Sequence, residues 1–377
     1  MVTIEKNKGP SLIKNIDWFL IGVVLALNLI GLLAVRSVAI HKGQPSLFSK
    51  QLVASIIGMA CLVLIMMIDY KDLKFLSIPA YIGTIFLLIF VLVAGSGREE
   101  VGTNGWILLG PLSFQPSELG KVTLTIVTAV FFERIKQGNG GLNYLWLIAS
   151  AGSLIGLVLL QPDFGTSVVY MFMLACMTFV FGIRYRVLLI GTGAALVALP
   201  ILWFSVLEKV FKSFQINRIL SFLNPEAYAT DAAYHVLMSI RYIGSGTLTG
   251  VEPGSEKAAK NVPASATDSI FAVIGEEWGF IGAVAVIVLF VVFLLRCLYI
   301  SRFAKDKYGA YIVIGLMAMF LFHFFENVGM NLGMLPVTGI PLPFISSGGS
   351  SVVVNYIAVG IIVSISMRRQ RPMFEVQ

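Results

Sequence analysis

The sequence predicts an all-α polytopic membrane protein, with ten transmembrane helices and one large extracytoplasmic loop between the seventh and the eighth. Three observations predict it. Apolar runs of about 20 residues recur along the whole chain, and a helix of that length crosses a hydrocarbon core of about 30 Å. The 377 residues are 57% hydrophobic and only 12% charged, against about 25% charged in a soluble domain. The basic residues flank the apolar runs, so a net charge of +7 reads as membrane topology and anionic-lipid contact rather than nucleic-acid binding.

The helices are expected, in order, over 17–36, 51–68, 75–94, 117–133, 143–160, 164–182, 187–207, 269–296, 309–335 and 345–367. The first apolar run, Trp18 to Val35, is too long for a signal-peptide core and lacks a small-residue cleavage site, so it reads as a retained span. Ser117, behind Pro116, reads as the N-cap of the fourth helix. Pro162 and Gly165 bracket a tight turn between the fifth and sixth, where Asp163 is placed to cap the next helix. The 269–296 run has 28 residues, about 42 Å as a helix, so its first turns are expected in the outer interface. Pro336, Pro341 and Pro343 prevent regular helix before the last span. Such backbone survives at membrane depth only when buried in protein or lining a wet cavity.

An even number of spans puts both termini on one side. Sixteen Lys and Arg residues fall on that side, four in the opposite short loops, six in segment 208–268 and one, Lys121, inside a span. The positive-inside rule makes both termini cytoplasmic and sends 208–268 outward. Residues 1–377 then form a single membrane domain, with 208–268 as an extracytoplasmic loop carrying one or two interfacial helices. Cys61, Cys176 and Cys297 all lie in apolar runs, which suggests neither a disulfide framework nor a metal site.

Ionisable side chains inside spans are costly and therefore functional candidates. In FQPSELGK, 114–121, Glu118 and Lys121 lie one turn apart on one face, either as a self-neutralising pair or as a cavity lining that offers Lys121 to an anionic group. In HFFENVGMN, 323–331, His323, Asn327 and Asn331 are spaced by single turns, with Glu326 beside them, a pattern suited to interhelical hydrogen bonds. The run 346–351, SSGGSS, opens the last helix, where exposed N–H groups suit either an anion or an ordinary turn and cap. In TDSIFAVIGEEWGFIG, 267–282, Thr267 or Asp268 is a candidate N-cap, and Asp268 stands at the outer mouth. Partial desolvation there suits a general base.

FQPSELGK, QPDFGT, NRILSFLNP (217–225), IGSG (243–246), TDSIFAVIGEEWGFIG and LPVTGIPLPFISSGGSS (335–351) together resemble one family, in its order and spacing. It is the SEDS family (shape, elongation, division, sporulation) of peptidoglycan glycosyltransferases, and the outer loop is RodA-like. The resemblance implies an enzyme of the bacterial cytoplasmic membrane that polymerises lipid II outside it into β-1,4 glycan by an inverting displacement; the RodA-like loop and short termini favour cell-wall elongation, with division and sporulation left open. It places the catalytic aspartate on Asp268. The substrate-binding candidates are then Glu118, Lys121, Asp163, Arg218, Thr338, Ser346, Ser347 and Ser350. The leaving pyrophosphate leaves room for a divalent cation, magnesium or manganese, although no ligand cluster marks one. A class B penicillin-binding protein is the implied partner, since nothing in the chain crosslinks peptides. A lipid-linked sugar flippase and an inactive scaffold for a transpeptidase are the competing readings. The chain departs from the family pattern at Ala264 and Ala266, where glutamate and histidine are usual, at Gly105, where arginine is common, and at His235 and Met238, where glutamines are usual.

Overall fold

The computed structural model describes residues 12–96, 105–109, 112–138, 140–182, 220–222, 232–251 and 264–369. Nine of the ten expected spans fall on long helices there: α1 (Trp18–His41), α2 (Pro45–Met67), α3 (Leu73–Ala94), α4 (Pro116–Lys136), α5 (Gly140–Leu160), α6 (Phe164–Phe181), α8 (Ile270–Arg302), α9 (Lys307–Asn331) and α10 (Gly349–Met367). The expected seventh span, 187–207, lies outside the described residues. So does most of the outer loop; its described part includes α7 (Ala232–Ser245), which packs on α8 and α9. A short hairpin of β1 (Ile107–Leu109) and β2 (Leu112–Phe114) leads into α4, and Ser96 bridges to Trp106 beside it.

Eight of these helices are long and apolar enough to cross a bilayer. The ninth, α4, has the length but carries Glu118, Lys121, Glu133, Arg134 and Lys136. It can do so because protein surrounds it: α3, α5, α6 and α9 all pack on it, and most of its side chains are buried. With α9 and α10 it forms the interior of the bundle. The most apolar window of α10 is 83% buried, whereas that of α3 is 22% buried and faces outward with Phe75, Ile82, Phe86 and Val93. Packed aromatic rings seal the centre, with Phe344 touching Phe293, Phe320 and Tyr356.

Several boundaries move from their expected places. Helix α2 begins at Pro45 rather than 51, because proline at the first helical position loses no hydrogen bond. Helix α4 begins at Pro116, so Gln115 and not Ser117 is its N-cap. Helix α9 stops at Asn331, four residues early, where Gly333 takes φ +72° ahead of Pro336. The last helix starts at Gly349, after a proline-rich segment that turns through the protein interior.

The largest correction concerns α8. It runs on to Arg302 and is interrupted at Gly279, with φ 65° and ψ −162°. Its backbone groups freed by the break are met by the turn after α7: Val251 N–H donates to Glu276 O (3.0 Å), Phe280 N–H to Thr247 O (2.9 Å) and Ile281 N–H to Leu248 O (3.2 Å). Glu276 and Glu277 are both buried, and Glu277 accepts a hydrogen bond from the Ser37 hydroxyl of α1.

At the other end of the bundle Asp17 caps α1 through Leu20 N–H and pairs with Arg296 (2.9 Å) and Arg369 (3.6 Å). The start of the first described span and the end of the last therefore meet at one end of the bundle.

One close approach fixes the interior segment. A Cβ on Gly31 of α1 would lie 2.7 Å from both the Phe344 and Ile345 carbonyl oxygens. Gly31→Ala is expected to cost about 1–3 kcal/mol, seen as a lower thermal midpoint in detergent.

Candidate functional site

The site is built where α4, α6, α8, α9 and α10 converge on the 335–348 segment. Its first component is the turn 264–269 that opens α8. Neither Thr267 nor Asp268 is the N-cap; that position is Ser269, whose side chain makes no capping bond. Asp268, half-buried, stands one residue before that cap.

Every backbone carbonyl from 266 to 268 is instead held by another element. Ser347 N–H donates to Ala266 O at 2.7 Å, and the Ser346 hydroxyl donates to Thr267 O at 2.6 Å. The side-chain amides of Asn327 and Asn331 both donate to Asp268 O at 2.9 Å. These bonds put Asp268 beside the turn that starts α10.

That turn is itself anchored. Ser346 is buried, and its hydroxyl is committed to the protein on both sides, accepting from Leu342 N–H at 2.8 Å as well. Gln51 of α2 donates to Ser346 O (3.1 Å) and accepts from Gly348 N–H (3.3 Å), and Asn28 of α1 donates to Phe344 O (3.3 Å). Past Gly348, helix geometry leaves the N–H groups of Gly349, Ser350 and Ser351 without an intrahelical acceptor. Partial positive charge collects there.

Gln115 connects this helix end to the next acid. Its backbone N–H donates to the Ser350 hydroxyl (3.3 Å), and its side-chain amide donates to Asp163 Oδ2 (3.0 Å). Asp163 does cap α6, accepting from Thr166 N–H at 3.1 Å. Between the two spans, burial pushes its carboxyl above the usual carboxylate range, opposed by the Thr166 bonds and the Lys121 charge. Thr338 donates to Glu326 at 2.8 Å, and its backbone lies against Gly165, where a Cβ would sit 3.2 Å from Thr338 O.

Glu118 and Lys121 form an ion pair of 2.8 Å, with side chains 4% and 1% exposed. The Lys121 ammonium also lies 3.1 Å from His323 Nε2 on α9, which draws α4 and α9 together. The self-neutralising reading of this pair thus describes its contacts in the structure.

Of the nine site residues expected from the sequence, the structure gathers Asp268, Asp163, Ser346, Ser347 and Ser350 through shared hydrogen bonds. Glu118 and Lys121 are held deeper, paired with each other, and Thr338 lies by Glu326. Arg218 lies outside the described residues. Sequence reasoning missed Asn28, Gln51 and Gln115. The signal for the first was a lone amide inside an apolar run.

Among the described residues no three His, Cys, Asp or Glu side chains come together to hold a metal ion. Magnesium is commonly held by one or two carboxylates plus substrate phosphates, an arrangement that needs no such cluster.

The comparisons with known proteins fit this architecture. Residues 15–371 match the model of the FtsW/RodA/SpoVE family, described as cell cycle protein. The chain is 32% identical over 352 residues to the probable peptidoglycan glycosyltransferase FtsW of Geobacter sp. (strain M18), covering 92% of this chain and 93% of that one. It is 32% identical over 322 residues to the peptidoglycan glycosyltransferase MrdB of Escherichia coli (strain K12), covering 83% and 84%. Among solved structures it resembles a chain described under structural coordination of polymerization and crosslinking by a peptidoglycan synthase complex, with TM-score 0.80, 29% identity and coverage of 93% and 97%. By sequence along nearly its whole length and by fold, the chain belongs to the FtsW/RodA/SpoVE family, the SEDS proteins.

Proposed function

We propose that this protein is a peptidoglycan glycosyltransferase that polymerises lipid II into β-1,4 glycan on the outer side of the bacterial cytoplasmic membrane, with Asp268 as general base. Asp268 takes the proton from the 4-hydroxyl of the acceptor sugar. The hydroxyl oxygen attacks the anomeric carbon of the donor, and the bond to undecaprenyl pyrophosphate breaks on the opposite face, so the configuration inverts. One displacement with one base needs no second carboxylate of the kind a retaining glycosidase uses. The bound proton then passes to solvent.

The observation that supports this reading is the direct bonding of Ala266 and Thr267, the two residues before Asp268, to the turn at 346–347. A half-buried acid stands next to a helix N-terminus whose N–H groups suit a pyrophosphate. Ser350, Asp163 and Gln115 extend that polar surface, and Arg218 is a further candidate cation. The Lys121 charge, buried against Glu118, acts on the substrate from behind this surface. With both termini cytoplasmic, the Asp268 end of the bundle faces outward.

The relatives named above are called peptidoglycan glycosyltransferases, and one structural neighbour is described under coordination of polymerization and crosslinking by a peptidoglycan synthase complex. A class B penicillin-binding protein is the matching partner here. We assign the chain to elongation: depletion that rounds rod-shaped cells supports this, and filamentation assigns it to division.

The test is purified protein in detergent with a class B partner and lipid II. Wild type is expected to yield glycan strands and Asp268→Ala none. Equal product from the variant removes Asp268 from the mechanism. Transfer of lipid-linked sugar across vesicles without polymer identifies a transporter instead.

A further inference from the structure

Both asparagines that reach Asp268 converge on one of its atoms. Asn327 and Asn331 stand one turn apart on α9, both buried, and both donate to Asp268 O at 2.9 Å. A carbonyl oxygen has two lone pairs, so this one is saturated. In a helix continued one turn earlier, Ala272 N–H would bond that oxygen. Here Ala272 N–H bonds Ser269 O at 3.1 Å, and α8 starts after the acid instead of around it.

We infer that Asn331, together with Asn327, is a positioning pair for Asp268, holding its peptide group out of the α8 ladder so that its carboxyl is aimed before substrate arrives. This rests on the reading of Asp268 as the base. With Ala266 O and Thr267 O held by Ser347 and Ser346, the peptide planes on both sides of Asp268 are fixed by outside donors. The direction of its Cα–Cβ bond follows. Interhelical bonding for stability alone gives no reason for two donors to converge on the carbonyl of a half-buried acid.

The two asparagines divide the work. Asn327 also donates to Ile340 O at 2.8 Å, so it holds the proline-rich segment as well. Among the described residues, apart from Asp268 O, Asn331 bonds only Asn327, at its backbone oxygen (2.8 Å) and, more weakly, its side-chain oxygen (3.4 Å). Asn331 is therefore the cleaner probe.

The experiment uses the full chain with its class B partner and lipid II, comparing wild type, Asp268→Ala, Asn331→Leu and Asn331→Asp. Leucine keeps the volume and removes the donor; aspartate keeps the shape and puts an acceptor against a carbonyl. For Asn331→Leu, kcat is expected to fall about 10- to 100-fold, the scale of a misplacement near 1 Å, with KM for lipid II and the thermal midpoint close to wild type. The acid limb of its kcat–pH profile is expected to move, because the carboxyl sits in changed surroundings. Asn331→Asp is expected to lose at least as much, and it serves as the readout if the leucine variant does not purify as a folded protein.

Wild-type kcat and an unmoved acid limb in the Asn331 variants, with Asp268→Ala inactive, overturn the positioning role and leave the base in place. A kcat loss matched by an equal fall in thermal midpoint, with no change in pH profile, overturns it too, since that is the mark of a structural residue. Full activity in Asp268→Ala overturns the parent reading.

Discussion

Lys121→Met alone is expected to destabilise the protein by about 3–5 kcal/mol, because it leaves the Glu118 carboxylate buried without its counter-charge. The pair is 2.8 Å apart, with both side chains almost fully enclosed, so solvent screens neither. Such a pair is costly to break and far less costly to remove whole. The double variant Glu118→Leu/Lys121→Met is therefore expected to recover most of the thermal midpoint in detergent that the single variant loses. His323 loses its Lys121 contact in both, which keeps the comparison even. The double variant also separates two roles for the lysine. A stable protein that makes no glycan shows that the charge acts on substrate, and a stable, active one shows that the pair is structural.

Gly279→Ala is expected to have a large effect for a single added methyl. The residue holds φ 65° and ψ −162°, a region that side chains other than hydrogen occupy only under strain of about 1–3 kcal/mol. The new Cβ would also lie 2.6 Å from Leu248 O and 2.7 Å from Leu248 C, both backbone atoms that cannot swing away. Relief requires moving the 247–251 turn, which breaks its bonds to Glu276, Phe280 and Ile281 inside the membrane domain. The expected result is loss of folded, monodisperse protein on size exclusion. The control is Gly152→Ala on α5, where a Cβ meets nothing within 4 Å and the thermal midpoint should hold.

These two sites mark what the sequence could and could not reveal. The spans were legible because bilayer thickness forces long apolar runs: nine of the ten expected spans fall on helices among the described residues, eight of them long and apolar enough to cross a bilayer. Their ends were less so. Proline at position 45 starts a helix as readily as it stops one, and Gly333 ended α9 through a left-handed turn that no periodicity announces. The break at Gly279 was hidden because Glu276 to Ile281 reads as uninterrupted helix; only the 247–251 turn, distant in sequence, makes the break stable.

In the site, Asp163 and the Glu118–Lys121 pair were legible from local spacing, since a cap and a one-turn pair depend on neighbours in the chain. Asp268 was legible as an acid at a helix mouth. What holds it was not. Asn327 and Asn331 reach its carbonyl, and Ser346 that of Thr267 beside it, across some 60 to 80 residues of sequence, and backbone carbonyls are what every residue has. Gln51 and Asn28 support the same turn from α2 and α1 and carry no motif at all.

The most direct test of Asp268 as base is a single-turnover coupling of a lipid II donor to an acceptor, with lipid II affinity measured on the same samples. Asp268→Asn keeps the shape and removes the proton acceptor. The account predicts wild-type affinity with coupling slowed by about 10²-fold or more, the range a positioned base contributes. Coupling by Asp268→Asn at the wild-type rate would contradict it.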